Sequence, residues 1–102
     1  MIKKSSTVSK TKREQVAESV IRVGELAWTG GHIQAIEIAT QALAAPQIKP
    51  AAQMDLLDLR AESYIAQGKL DLAAKDASAM IKLANAENKP ALKAQALNRK
   101  AL

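Results

Sequence analysis

Residues 56–83 read LLDLRAESYIAQGKLDLAAKDASAMIKL, and this stretch decides the fold. Apolar side chains recur at three and four residues on both sides of Gln67-Gly68-Lys69, which is the period of a helix with one buried face. Glycine adopts the backbone conformations of a tight turn between helices without strain. We therefore expect Gly68 to separate two antiparallel helices that form a hairpin.

The same kind of pattern predicts five helices along the chain. Gly30-Gly31 forms an earlier copy of this glycine turn, and Pro50 and Pro90 suit the first turns of the third and fifth helices. Thr11-Lys12-Arg13-Glu14 has capping-box spacing at the start of the first helix. The expected helices are about 12–28, 32–45, 50–67, 70–86 and 90–102. They form two hairpins, about 12–45 and 50–86, and an unpaired last helix, within one domain of residues 11–102.

Composition supports an all-α fold whose core depends on small side chains. The chain is 48% apolar, with no Phe, one Trp, one Tyr and 21 alanines. Alanine has the highest helix propensity, and β-branched residues never alternate with polar ones over a strand length. In the first helix Val16, Val20, Val23 and Ala27 recur at helical spacing, and Ile21 and Leu26 widen this stripe. We therefore expect helices that approach each other closely.

The formal net charge of +5 is a property of the amino-terminal end. Five basic residues and no acid lie in residues 1–13, whereas ten bases balance ten acids from Glu14 onward. Residues 1–10 are expected to form a disordered basic tail. Because no aromatic residue lies among these charges, a solubilising tail is favoured over contact with nucleic acid or an anionic membrane, and no specific nucleic-acid partner is expected.

The sequence offers little from which to build a catalytic or metal site. It has no Cys, one His and no glycine-rich phosphate loop. We expect neither an enzyme nor a cofactor, and we expect His32 to be a surface or packing residue. No apolar run reaches the length of a membrane span, and serine and threonine follow Lys3 and Lys4 where a signal peptide would be apolar. A soluble, cytoplasmic protein is the default expectation.

The two predicted hairpins agree with each other beyond their glycines. Arg99 follows Arg60 at a spacing of 39 rather than 38. The last helix therefore continues the repeat, but its alignment with the earlier hairpins is fixed only to within one residue. Period and hairpin units together predict a solenoid. The pairs that match at a spacing of 38 are Arg22 and Arg60, Leu26 and Tyr64, Gly30 and Gly68, Ala35 and Ala73, and Ala42 and Met80.

These residues resemble the tetratricopeptide repeat. Arg60-Ala61-Glu62-Ser63-Tyr64, followed by Gly68 and Ala73, is similar to the family's small residue, tyrosine, turn glycine and second small residue. The departures are a period of 38 to 39 where the family has 34, Val23 and Ala61 in place of the usual glycine, and Leu26 in place of tyrosine. The resemblance implies an α-solenoid of about two and a half repeats that binds other proteins.

The resemblance also implies a binding surface, because in this family the first helix of each hairpin lines the inner groove. The three acids Asp55, Asp58 and Glu62 are spaced three and four, so a helix places them on one face. They either attract a basic or amphipathic peptide or form a solvated helix face. The remaining groove candidates are Ile65 of the second hairpin and Val20, Gly24 and Trp28 of the first.

Two further features have two interpretations each. Trp28 either contributes to an apolar floor of the groove or covers the hinge. Arg22, Arg60 and Arg99 either form a ligand-binding ladder or pack between helices with their heads on carboxylates, Asp76 being the expected partner of Arg60. The lysine and asparagine positions of the family's carboxylate-clamp members are absent, so a partner held by an acidic carboxyl terminus is not expected.

The leading functional hypothesis is a protein-interaction module that presents a groove to a peptide or helix of a partner. The alternative is a structural or self-oligomerisation segment without a separate ligand. Solenoid repeats bury their apolar faces against neighbours, yet Leu92, Ala96 and Leu97 leave the last helix apolar. We therefore expect a fragment of a larger repeat protein that also associates with itself through this helix.

Overall fold

The computed structural model describes residues 12–101, and the expected basic tail of residues 1–10 lies outside this range. Within it, 84% of the residues are helical and no strand is present, so the all-α prediction is confirmed. Every helix begins at the residue expected from the sequence, and each end lies close to the expected one. The helices are α1 Lys12–Trp28, α2 His32–Leu43, α3 Pro50–Ala66, α4 Leu70–Glu87 and α5 Pro90–Ala101.

The turn between α1 and α2 is a Schellman motif. Gly30 has a φ of +89°, a conformation that side-chain-bearing residues rarely adopt. The Gly31 N–H donates to the Leu26 carbonyl at 2.7 Å, and the Gly30 N–H donates to the Ala27 carbonyl at 3.5 Å. These two bonds satisfy carbonyls that the end of α1 would otherwise leave unpaired.

The turn between α3 and α4 has the same hydrogen bonds at the equivalent positions of the second hairpin. Gly68 has a φ of +75°. The Lys69 N–H donates to the Tyr64 carbonyl at 2.8 Å, and the Gly68 N–H donates to the Ile65 carbonyl at 2.9 Å. Both glycines therefore lie at helix–helix turns, as the sequence predicted.

The two other connections differ from each other in length. Six residues, from Ala44 to Lys49, join α2 to α3, and Gln47 within them has a φ of +59°. Only Asn88 and Lys89 join α4 to α5. Asn88 takes the left-handed conformation at the end of α4 with a φ of +51°, and its N–H donates to the Ala84 carbonyl at 2.8 Å.

Each helix packs against the next one along the chain, and α3 also contacts α1 and α5. α3 is thus the central helix, while α2 and α4 do not touch among the described residues. The described part of the molecule measures 50 × 32 × 18 Å. α1, α3 and α5 therefore lie side by side, with α3 in the middle.

Two apolar clusters share α3. Small alanines dominate the α2 side, and the larger Met54 and Met80 fill the space between α3 and α4, in keeping with the expected close packing of small residues. Fully burying a side chain of this size contributes about 1.5–3 kcal/mol. The first cluster contains Val16, Val23, Leu26, Ala35, Ala39, Ala42 and Leu56. The second contains Met54, Leu57, Met80, Ala84, Leu92 and Ala96.

The predicted buried stripe of α1 is confirmed except at one position. Val16 and Val23 are buried, and Val20 and Ala27 are half-buried. Ile21 is exposed, so its inclusion in the stripe was wrong. Ile21 comes directly after Val20, and a single step along a helix turns the side chain by about a quarter of a turn, away from the contact with α3.

Candidate functional site

The predicted acids of α3 share one face, and α5 lies against it. We call Asp55, Asp58 and Glu62 the acidic stripe. Gln95 Nε2 donates to Asp55 Oδ1 at 3.1 Å and to Asp58 Oδ2 at 3.2 Å. Arg99 Nε donates to Asp58 Oδ1 at 2.6 Å. Two of the three predicted ligand-binding acids therefore already hold side chains of this chain.

Arg99 also reaches the third acid of the stripe. Its Nη2 lies 3.8 Å from Glu62 Oε1, and its side chain is only 11% exposed. Asp55 and Asp58 are half-buried, whereas Glu62 is exposed. Neither sequence interpretation, a ligand surface or a solvated face, included this arrangement, because the register of α5 could not be fixed from the sequence. A partner peptide can therefore contact only those parts of the acidic stripe that α5 leaves exposed.

The candidate residues of the first hairpin separate into two places. Val20 packs at the edge of the first cluster, and a Cβ added to Gly24 would lie 4.0 Å from Leu59 Cδ1, so both face α3. Trp28 is 90% exposed, which contradicts the interpretation that it covers the hinge. Ile65, the apolar groove candidate of the second hairpin, is exposed.

An open apolar groove of about 1030 Å³ lies between the first halves of α1 and α3. We call it the α1–α3 groove. Its charged lining residues are Lys49 and Asp55, and all its other lining residues apart from Gln47 are apolar. The lining consists of Val16, Ala17, Val20 and Ile21 from α1, Pro46, Gln47, Ile48 and Lys49 from the connection, and Ala51, Ala52 and Asp55 from α3.

Two features of the chain account for this groove. Ala17 is small where the equivalent position of α3 carries Asp55. The six-residue connection forms the far wall, and Gln47 holds it in a left-handed conformation that costs about 1–2 kcal/mol for a residue other than glycine. Val20 and Asp55 were predicted from the sequence as groove residues, but the connection between α2 and α3 was not. Its bracketing prolines, Pro46 and Pro50, were the available signal.

The arginines of the repeat do not behave alike. Arg60 donates from Nε to Asp76 Oδ2 at 2.8 Å and from Nη2 to Asp76 Oδ1 at 2.5 Å, which confirms the expected partner. Hydrogen bonding to Asp76, against the opposing effect of burial, raises the pKa of Arg60 above its ordinary value. Arg60 also lies over the Tyr64 ring, 5.7 Å from its centroid.

Arg22 is the exception in this series. Its side chain is 59% exposed, and its Nη1 lies 3.9 Å from the Glu25 carboxylate on the same helix, so the prediction that it packs between helices was wrong. The position of the first hairpin that is equivalent to Asp76 holds Ile38, which offers no charge to Arg22. The arginine at this repeat position therefore packs between helices only where the neighbouring helix offers a carboxylate.

The single histidine joins the two hairpins. His32, the first residue of α2, is half-buried, and its Nδ1 lies 3.0 Å from the Oγ of Ser63 on α3. Ser63 is fully buried. His32 is thus a packing residue, as expected, and the contact places the beginning of α2 beside the end of α3.

Residues 12–101 contain no group of three or more His, Cys, Asp or Glu side chains placed to hold a metal ion. Among the same residues, no helix combines the length and apolar character needed to cross a membrane.

Comparison of the chain with protein-family models, with curated proteins and with solved structures finds no match. The resemblance to the tetratricopeptide repeat stays a prediction from the residues quoted above. The function of this chain must therefore be inferred from its own side chains and their arrangement.

Proposed function

We propose that residues 12–101 form a tetratricopeptide-like array that binds other proteins, with no catalytic role. The two glycine turns support the repeat, because the two backbone hydrogen bonds of the first turn recur at equivalent positions in the second. The packing order supports it as well, since α3 lies between α1 and α5. In a solenoid of hairpins, successive first helices are neighbours in this way.

Burial also repeats along the chain. At four pairs of equivalent positions among the described residues, the side chains of both hairpins are buried even where the residue types differ, and α5 continues the first series at Leu92. The contact between His32 and Ser63 brings the two glycine ends of the hairpins to the same side. The buried sets are Val16, Met54 and Leu92; Val23 and Ala61; Ala35 and Ala73; and Ala42 and Met80.

The outer face of α1 is consistent with a capping helix. α3 turns Leu56 and Ser63 toward the first hairpin, and both are fully buried. The equivalent residues of α1 are Glu18 and Glu25, and both are exposed. A polar face at this position is typical of a terminal repeat, whereas an internal repeat carries an apolar one.

The observation that carries the function is the α1–α3 groove. It lies between the first helices of the two hairpins, it is large, and its lining is mostly apolar. Without a bound partner, these apolar side chains are in contact with water. Single exposed apolar residues need no partner, but a contiguous concave apolar surface indicates an interaction site.

Selection of binding peptides from a random displayed library, on the full chain, tests this function. We expect saturable binders whose contacts, mapped by amide chemical shifts, fall on Ala17, Val20 and Ala52. Ala17→Arg should abolish binding because it fills the groove. Ala74→Arg, at an exposed alanine of α4, should leave binding unchanged. Selected peptides whose affinity is unchanged by Ala17→Arg would contradict the proposal, and so would a selection that yields no binding peptides.

Self-association through the last helix is the second candidate function. Leu97 on α5 is 62% exposed, and Ala94, three positions earlier on the same helix, is exposed as well. Sedimentation of the full chain over a range of concentrations tests this alternative. A dimer that Leu97→Gln dissociates, and that Leu72→Gln on α4 leaves intact, would support it, whereas a monomer at all concentrations excludes it.

A further inference from the structure

We propose that the α1–α3 groove binds a basic amphipathic helix of a partner protein. Its apolar residues would lie on Ala17, Val20 and Ala52, and an arginine or lysine would reach Asp55. This inference rests on the proposed function and specifies the class of partner.

The walls of the groove favour a helical occupant. α1 and α3 use their backbone groups within their own helices, so they offer no row of unpaired N–H and C=O groups to an extended strand. A peptide entering an apolar groove must satisfy its own backbone hydrogen bonds, and a helix does so internally. An amphipathic helix also matches a surface that is apolar along its floor and charged along its edge.

The charges around the groove favour a basic occupant. Asp55 is the anion among the lining residues, whereas the charge of Asp58, one turn later on α3, is paired with Arg99. On the other wall, Glu18 is exposed beside Ala17. Lys49 is the cation among the lining residues. The hydrogen bond that Asp55 accepts comes from Gln95, which is a neutral amide and leaves the carboxylate charge unbalanced.

α5 shows how this face of α3 holds a helix that carries an arginine. Arg99 pairs with Asp58 and Glu62, and Gln95, one turn earlier, bonds to Asp55 and Asp58. Asp55 lies between α5 and the groove, since it contacts Gln95 and also lines the groove. A partner helix in the groove would thus approach Asp55 from the side opposite to α5.

Two capped synthetic peptides of about 16 residues, roughly 24 Å of helix, test the inference. Both carry leucines at positions i, i+3, i+4 and i+7, and one has arginines and the other glutamates beside this stripe. Fluorescence anisotropy with the full chain measures both affinities. We expect the arginine peptide to bind at least about tenfold more tightly, because opposite charges steer and hold it and like charges repel.

Matched variants assign the binding to this surface. Asp55→Asn keeps the acceptor for Gln95 but removes the charge, and it should weaken the arginine peptide about fivefold or more. Asp71→Asn removes an exposed carboxylate from the first turn of α4 and should have no effect. Ala17→Arg should abolish binding, and Ala74→Arg should not.

Other outcomes overturn the inference in distinguishable ways. If the glutamate peptide binds as well as the arginine peptide and Ala17→Arg blocks both, the groove is a binding site but the partner class is wrong. If neither peptide binds in a manner sensitive to Ala17→Arg, the proposed function fails too. A dimer that Ala17→Arg dissociates assigns the groove to a second copy. Arginine-peptide binding that appears only after Lys3, Lys4 and Lys10 are changed to glutamine assigns it to the chain's own amino-terminal segment.

Discussion

Arg60 on α3 and Asp76 on α4 form a two-point ion pair in which both oxygens of the carboxylate accept from the guanidinium. The side chains are 18% and 5% exposed. Arg60 Nη1 also donates to Thr40 Oγ1 on α2 at 3.0 Å. One arginine therefore joins three helices and links the first hairpin to the second.

Breaking this pair from one side should be costly. Asp76→Ile should lower the free energy of unfolding by about 3 kcal/mol, because it leaves the arginine partly buried without its acid. Adding Arg60→Met should recover at least half of the loss, since two apolar residues leave no charge behind. Urea unfolding of the single and double variants measures both effects. A double variant that is less stable than Asp76→Ile would contradict this interpretation.

The need of a partly buried arginine for a carboxylate explains which arginine contacts could be predicted from the sequence and which could not. Arg60 and Asp76 could be paired in advance, because they lie on the two helices of one hairpin and the Gly68 turn brings those helices together. Arg22 occupies the repeat position equivalent to Arg60 but is exposed, because Ile38 stands at the position equivalent to Asp76. As the matched test, Arg22→Met should change the free energy of unfolding by no more than about 0.5 kcal/mol.

The glycines of the chain should respond to alanine in opposite directions. Gly30→Ala and Gly68→Ala should each destabilise the protein by about 1–2 kcal/mol, because their φ angles are +89° and +75°. Gly24→Ala should stabilise it by about 0.5–1 kcal/mol, since Gly24 lies within α1 and its added Cβ would make an ordinary contact at 4.0 Å with Leu59. Thermal and urea unfolding of the three variants test the contrast. A stabilising Gly68→Ala would remove the basis for a glycine turn.

Removing either partner of the His32 and Ser63 contact should have unequal costs. His32→Leu, which copies the equivalent residue Leu70, leaves the Ser63 hydroxyl buried without its partner and should cost about 1–3 kcal/mol. Ser63→Ala should cost about 0.5–1 kcal/mol, because the half-buried His32 still reaches water. The double variant should lie close to Ser63→Ala alone. Equal costs for the two single changes would mean that the contact contributes little.

Helix positions followed from local sequence, but the covering of the acidic stripe did not. Spacings of three and four put Asp55, Asp58 and Glu62 on one face in advance. The helix that covers these acids is α5. It begins at Pro90, two positions later than a repeat of exactly 38 residues from Pro50 would place it. The repeat alone therefore could not align Arg99 with Asp58. The α1–α3 groove depends on the path of a six-residue connection, which no periodic pattern describes.

Arg99 should control how firmly α5 is attached. Arg99→Ala removes its contacts with Asp58 and Glu62 and should lower the protection of α5 amides by about 1–2 kcal/mol of opening free energy. Amides of α1 and α2 should keep their protection, because within residues 12–101 neither helix touches α5. Native-state hydrogen exchange measures each helix separately. Lys100→Ala, at an exposed neighbour, is the control, and a uniform loss of protection in all helices would argue against a local role.

Trp28 should report on the glycine end of the molecule and not on the groove. Because it is 90% exposed, its emission maximum and its quenching by acrylamide should be nearly the same in the native and the urea-unfolded protein. Trp28→Ala should change the free energy of unfolding by less than about 0.5 kcal/mol. A native emission maximum at much shorter wavelength would show that the indole is covered.

The same fluorophore separates two places where a partner could dock. Trp28 does not line the α1–α3 groove, so a peptide bound there should leave its emission unchanged. Ile33, just beyond the first glycine turn, and Leu70, just after the second, are also exposed. A shift of Trp28 emission during peptide titration would therefore place the ligand at the glycine turns, and it would argue against the groove as the main binding surface.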